Sequence, residues 1–183
     1  DEIYENLPEN KDKTDSENSK LAQQYGYEIA IKIAKTTSSG QVLFFSTGQK
    51  EILEAVAHLN KNLPKDVIAL PFFTKMNNTN KDIAENITEK IKLITTSKNL
   101  IHLNWDKEYN QGTEQQGLYK RAIILATNVA EASITIDGLK YVIDNGYEKI
   151  NIYNESTNTT TLDVKKISEA SRLQRKGRVG RKS

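Results

Sequence analysis

Eight residues near the end of this 183-residue sequence read QRKGRVGR (174–181). If the segment is helical, Gln174, Arg178 and Arg181 stand at i, i+4 and i+7 and share one face. Two guanidinium forks and an amide aimed the same way suit charge-dispersed oxygens, such as the terminal phosphate of a nucleotide in transfer. Gly177 and Gly180 each cost a helix interior roughly 1 kcal/mol against alanine, so keeping both predicts close approach to another backbone or a ligand. Arg175 and Lys176 point elsewhere. The plainer alternative is a basic tail that binds nucleic acid without order, or a localisation signal.

A second segment, ATNVAEASITIDG (126–138), places small hydroxyl and amide residues directly after an apolar run. Its backbone N–H groups and Thr, Asn and Ser side chains are open to anions, the type of contact that grips phosphodiester oxygens without reading bases. The bland reading is a strand–loop–helix connection with Thr and Asn as caps. Asp144 closes the run VID and resembles an acid that holds magnesium, but a strand-end role is the simpler reading.

Other chemistries have no motif here. The sequence contains no G-x-x-x-x-G-K-[ST] phosphate loop, no GxGxxG and no HExxH, and no local context suggests a Ser/His/Asp trio. It has no cysteine and only His58 and His102, which excludes disulfides and zinc sites that need thiolates. No apolar run approaches the roughly 18 to 20 residues that span a bilayer, and the opening DEIYENLPENKDK does not resemble a signal peptide. An intracellular location without membrane contact is therefore expected. Net charge is +2 but unevenly spread. Residues 1–20 hold seven acids against three lysines, and residues 165–183 hold eight bases against Glu169. A basic end on a nearly neutral chain predicts a polyanion partner.

The elements that must carry these residues follow from periodicity. Residues 1–18 read as a polar lead-in or linker, and 19–183 as one domain. Leu21, Tyr25, Ile29 and Ile33 predict a helix over 19–37 with Ser19 as its cap. VLFFS (42–46), DVIALPF (66–72), RAIILAT (121–127) and LKYVIDNG (139–146) predict buried strands, and NLIHLNW (99–105) a further one. QKEILEAVAHLN (49–60) and NKDIAENITEKIKLI (80–94) predict helices, the second with Ile83, Ile87, Ile91 and Ile94 on one face. Residues 106–119 read as a polar loop, 149–167 as a β-hairpin, and a last helix should start near Ser168. Strands alternating with helices indicate an α/β fold with a mainly parallel sheet. In such sheets ligands meet the loops after the carboxyl ends of strands. STGQKE, NVAEAS and QRKGRVGR are therefore expected to share one face.

Taken in order, VLFFSTGQKEI, RAIILATNVAEASITIDGLKYVIDNG and ISEASRLQRKGRVGR resemble motifs IV, V and VI of the DEAH-type helicases of superfamily two. YVIDNGYEKINIYN resembles the strand, turn and start of a hairpin in the same family. The resemblance covers roughly residues 19–181, and the QRKGRVGR variant looks nearest to helicases of large DNA viruses. It implies a RecA-like lobe, the second of two. The phosphate loop and DEAH box belong to a first lobe that this sequence lacks, and the chain stops before the strand that usually follows motif VI.

The resemblance also implies roles. Gln174, Arg178 and Arg181 would face the γ-phosphate of ATP, with the arginines as fingers. Thr135 and Asp137 would approach the nucleotide ribose, and Ser133 would sense its state. Thr127 and Asn128 would bind the nucleic-acid backbone, with Ser46, Thr47 and Gly48 near the strand's phosphates. ATP and Mg2+ would be held mainly by the first lobe. Two departures stand out. NKDIAENI lacks the aromatic that the family stacks on the nucleotide base. The span 92–120 is longer than usual and carries Tyr109 and Tyr119, read here as a surface insertion, with stacking on bases as the alternative. The implied function is the C-terminal motor lobe of an NTP-dependent RNA helicase moving 3′ to 5′, inactive without its first lobe. The competing readings are a non-catalytic nucleic-acid-binding or scaffold module and a DNA motor of the same superfamily.

Overall fold

The structure, a computed structural model, describes residues 14–110, 118–127 and 135–144, and the backbone of 147–154 and 159–166. The QRKGRVGR segment, Ser133, Asn128 and the predicted helix near Ser168 lie outside the described residues, as do 1–13.

Helix α1 spans Asp15–Thr36. It begins four residues before Ser19 because TDSE (14–17) forms a capping box. The Thr14 hydroxyl accepts from the Glu17 N–H at 3.1 Å, and the Glu17 carboxylate accepts from the Thr14 N–H at 3.3 Å. Ser19, expected to be the cap, is instead buried within the helix.

Strands β1 (Gln41–Phe45), β2 (Val67–Phe72), β3 (Arg121–Ala126) and β4 (Leu139–Asp144) form one sheet in the order β2-β3-β1-β4. Every pairing in it is parallel. β1, β2 and β3 are buried at every position, as expected when helices cover both faces of a parallel sheet. Side chains alternate, so Val42 and Phe44 face one layer and Gln41, Leu43 and Phe45 the other. α1 and α2 (Gln49–Asn62) cover the Phe44 face. Gly26 of α1 permits the approach: a Cβ there would lie 2.5 Å from Cζ of Phe44. On the opposite face, Gln41 donates to the Thr88 hydroxyl at 3.2 Å. Thr88 belongs to α4 (Ile87–Lys90), which follows α3 (Asn78–Glu85).

Two buried polar residues close the sheet's margins. Asn60 of α2 donates to the Ala69 carbonyl at 3.1 Å and accepts from its N–H at 2.7 Å, so edge strand β2 does not offer those groups to another chain. At the amino edge, Arg121 donates from Nε to the Gly40 carbonyl at 3.1 Å and from Nη1 to the Thr37 carbonyl at 2.9 Å. Burial lowers its pKa.

Three further expectations need correction. The helix over 80–94 is broken at Asn86, whose φ of −109° and ψ of 38° interrupt the helical ladder. α3, α4 and a 3-10 turn (Ile91–Leu93) replace it. Ile83, Ile87, Ile91 and Ile94 are nevertheless all buried, so the periodicity identified the apolar face correctly. NLIHLNW is not a strand. Lys98–Leu100 is a 3-10 turn, and the N–H groups of Leu103 and Asn104 both return to the Leu100 carbonyl at 3.0 Å. Local closure around Asn99 and Asn104 outweighed β propensity.

The 92–120 span is also more than a surface insertion, since Tyr109 and Tyr119 are buried in the core, out of reach of bases. Buried Asn80 ties this stretch down. It donates to the Trp105 and Lys107 carbonyls at 3.2 and 2.7 Å and accepts from the Tyr109 N–H at 3.2 Å.

The predicted hairpin is present as an antiparallel pair, β5 (Tyr147–Asn154) and β6 (Thr159–Lys166). Among the described residues, no helix is long and apolar enough to cross a membrane.

Candidate nucleic-acid interface

The carboxyl edge of the sheet is set by register. Phe45 pairs with Ala126 and with Asp144, and Phe72 pairs with Ala126. The segments leaving β1 and β3 are therefore neighbours, and the Ser46 N–H donates to the Ala126 carbonyl at 2.7 Å. Ser46, Thr47, Gly48 and Thr127 gather here, as the strand-end rule predicts. The third segment expected on this face, QRKGRVGR, lies outside the described residues.

The four residues differ in what they can offer. Ser46 is 1% exposed; its N–H is bound to Ala126, and its hydroxyl donates to the Oε1 of Gln23. Both of its protons are used, which leaves it only lone pairs. A phosphate oxygen is an acceptor and needs donors. Thr47 and Thr127 are almost covered, at 7% and 9%, and among the described residues no hydrogen bond occupies either hydroxyl. Gly48 is the N-cap of α2 and makes no side-chain cap. No side-chain cap occupies the start of this 14-residue helix, the end where the helix dipole favours negative charge. Exposed Lys50 and the acid Glu51 both stand in that first turn.

Sequence reasoning missed Gln23. It is 6% exposed, and its Nε2 donates to the Tyr27 hydroxyl at 2.8 Å and to the Glu51 carbonyl at 2.9 Å. With Ser46 on its Oε1, one amide joins α1, the β1–α2 connection and the first turn of α2. It stands four residues after Ser19 and seven before Ala30 on the face that α1 buries, a spacing that could have flagged it as an inward-facing polar residue.

Thr135 and Asp137 are not part of this cluster. Asp137 and Gly138 lead into β4 at the amino edge, where the Gly138 carbonyl accepts from the Gln41 N–H at 3.0 Å. Gly138 has a φ of +78°, and a Cβ there would collide with the Thr88 hydroxyl. The Asp137 backbone bonds the Glu85 carbonyl at 3.2 Å and the Thr88 hydroxyl at 2.8 Å. Asp137 thus sits a strand length, roughly 17 Å, from the Thr47 edge. Thr135 is exposed.

Comparison with known proteins gives this geometry a family. Residues 100–183 match the helicase conserved C-terminal domain. The chain is 36% identical over 166 residues, 91% of its length, to a protein of Acanthamoeba polyphaga mimivirus named as an ATP-dependent RNA helicase. It is 36% identical over 157 residues, 85% of its length, to the ATP-dependent RNA helicase HrpA of Borreliella burgdorferi. The chain spans only 9% and 16% of those two relatives. A crystal structure of the Escherichia coli DExH-box NTPase HrpB superposes with a TM-score of 0.64 at 25% identity, covering 98% of this chain and 18% of that one. Sequence and fold together place this chain among the helicase C-terminal domains of the DEAH/RHA type in superfamily two.

Proposed function

We propose that this chain is the C-terminal, RecA-like motor lobe of an NTP-dependent RNA helicase that moves 3′ to 5′ along its strand. One observation carries the reading: the parallel pairing of β1 and β3 brings Thr47, the open α2 N-terminus and Thr127 to one edge. All of these are donors suited to a phosphodiester backbone, with no base-reading group required. Asn128 extends the set from the same connection. Ser46 shapes the edge through Gln23 rather than touching phosphate.

The nucleotide would be bound elsewhere on the lobe. Gln174, Arg178 and Arg181 meet the γ-phosphate of ATP, Thr135 and Asp137 approach the ribose, and Ser133 lies between the two regions in sequence. The separation of Asp137 from Thr47 across the sheet supports assigning them to different ligands. A first lobe of the same polypeptide would hold ATP and Mg2+. Closure of the two lobes brings the arginines to the transferring phosphate and completes the site. The fragment alone is then inactive. The β5–β6 hairpin is suited to act as a wedge at a duplex junction.

The test uses the full-length protein. Arg178→Ala or Arg181→Ala should abolish ATP hydrolysis while leaving single-stranded RNA binding largely intact. Equal loss of both activities would instead mark a nucleic-acid-binding tail. Unwinding of matched RNA and DNA duplexes separates an RNA motor from a DNA motor.

A further inference from the structure

Beside Thr47, a cleft of about 620 Å³ opens between α1 and α2. Both helices run from the carboxyl edge toward the amino edge, and α1 begins earlier. Ser16, Ser19 and Lys20 therefore form one wall of the mouth, facing Thr47 and Lys50. Glu51 lines the mouth beside Lys50, in the same first turn of α2, and Glu54 and His58 line the wall further in. His58 is exposed and stacks on the half-buried Tyr27, with ring centroids 4.5 Å apart and planes 22° from parallel. From Lys50 to His58 the cleft runs about 12 Å along the helix.

Charge sorts this space. Lys20, Lys50 and the uncapped α2 N-terminus put cations and N–H donors at the mouth. Glu51 sets one carboxylate against those two lysines at the mouth, and Glu54 puts another deeper in, where a phosphate would be repelled. A carboxylate accepts hydrogen bonds from the exocyclic amines of nucleobases, and an imidazole already stacked on a tyrosine offers a flat, preorganised face.

We propose that this cleft is a subsite for one unstacked nucleotide of the bound single strand. Its phosphate lies at Thr47, Lys20 and Lys50, and its base stacks on His58 between α1 and α2. The inference rests on the reading of the carboxyl edge as the strand-binding edge and adds a base contact to it. Recognition is stacking with amine acceptance, so it tolerates several bases.

The test measures binding of the full-length protein to a single-stranded RNA oligonucleotide and to the same oligonucleotide made abasic. His58→Ala should weaken binding of the intact strand about fivefold or more and leave the abasic strand unaffected, and His58→Phe should restore the loss. Equal effects on both strands, or no effect while Thr127→Ala weakens binding, would overturn the base subsite and leave the strand edge standing. If the unaltered protein binds neither strand, the edge assignment fails together with the subsite.

Discussion

Gln23 accepts the hydroxyl proton of Ser46 from a helix 23 residues earlier in the chain, and both side chains are buried. The pair joins α1 to the connection that leaves β1 at the carboxyl edge of the sheet. Removing one member strands the other in a dry site, which costs more than removing both. Gln23→Leu or Ser46→Ala should each destabilise the protein by about 1–3 kcal/mol, while the double variant should lose clearly less than the sum. Urea denaturation of the four species measures the coupling. Strict additivity would show that the bond contributes nothing.

Tyr109 presents the opposite case. Its ring is 1% exposed, and among the described residues its hydroxyl has no hydrogen-bond partner. Tyr109→Phe should therefore be neutral, or stabilising by about 1 kcal/mol, a rise of roughly 2–4 °C in Tm. Burial, with the nearby Asp106 charge, raises the phenol's pKa above its ordinary value. The unfolded chain then ionises first as pH climbs past about 10, so the stability tied to the neutral phenol is intact below that pH and drains away above it. The phenylalanine variant should show a shallower loss in an alkaline denaturation series.

Gly26 lies against a ring that cannot easily move, since Phe44 is fully buried. Gly26→Ala would gain helix propensity, but its methyl would lie 2.5 Å from Cζ of Phe44. Overpacking should dominate, at about 1–3 kcal/mol of destabilisation. A thermal melt that shows stabilisation would mean that α1 can slide away from the sheet.

Thr127→Ala removes a neutral donor at the strand edge. In the full-length protein it should weaken single-stranded RNA binding about tenfold at every salt concentration, without changing the slope of log affinity against log salt. Lys50→Ala should instead reduce that slope by about one. A salt titration of the three proteins distinguishes a hydroxyl contact from a charge contact, and unchanged affinity for Thr127→Ala would remove it from the interface.

The sequence by itself determined the four strands of the parallel sheet, the buried face of 83–94 and the family, but on α1 it named Leu21 and Tyr25, which are exposed, beside Ile29 and Ile33, which are buried. VLFF, VIALPF and AIILA are apolar throughout because a doubly covered parallel sheet buries both faces, and that pattern survives without coordinates. The isoleucine spacing of 83–94 marked the correct buried face for the same reason. What the sequence could not show was whether backbone or side-chain bonding would interrupt a pattern. The break at Asn86 and the turn over 98–104 arise from local closure that periodicity does not register. The tertiary structure alone decided which polar residues are spent and which are available. Ser46 and Thr47 are adjacent and chemically alike, yet only a partner 23 residues away commits one hydroxyl and leaves the other open. Tyr109 and Tyr119, polar-looking in a polar stretch, lie inside, the Tyr109 N–H held by Asn80 and the Tyr119 hydroxyl accepting from the Lys98 N–H. Long-range hydrogen bonds depend on where distant segments meet, and no local window of sequence contains that information.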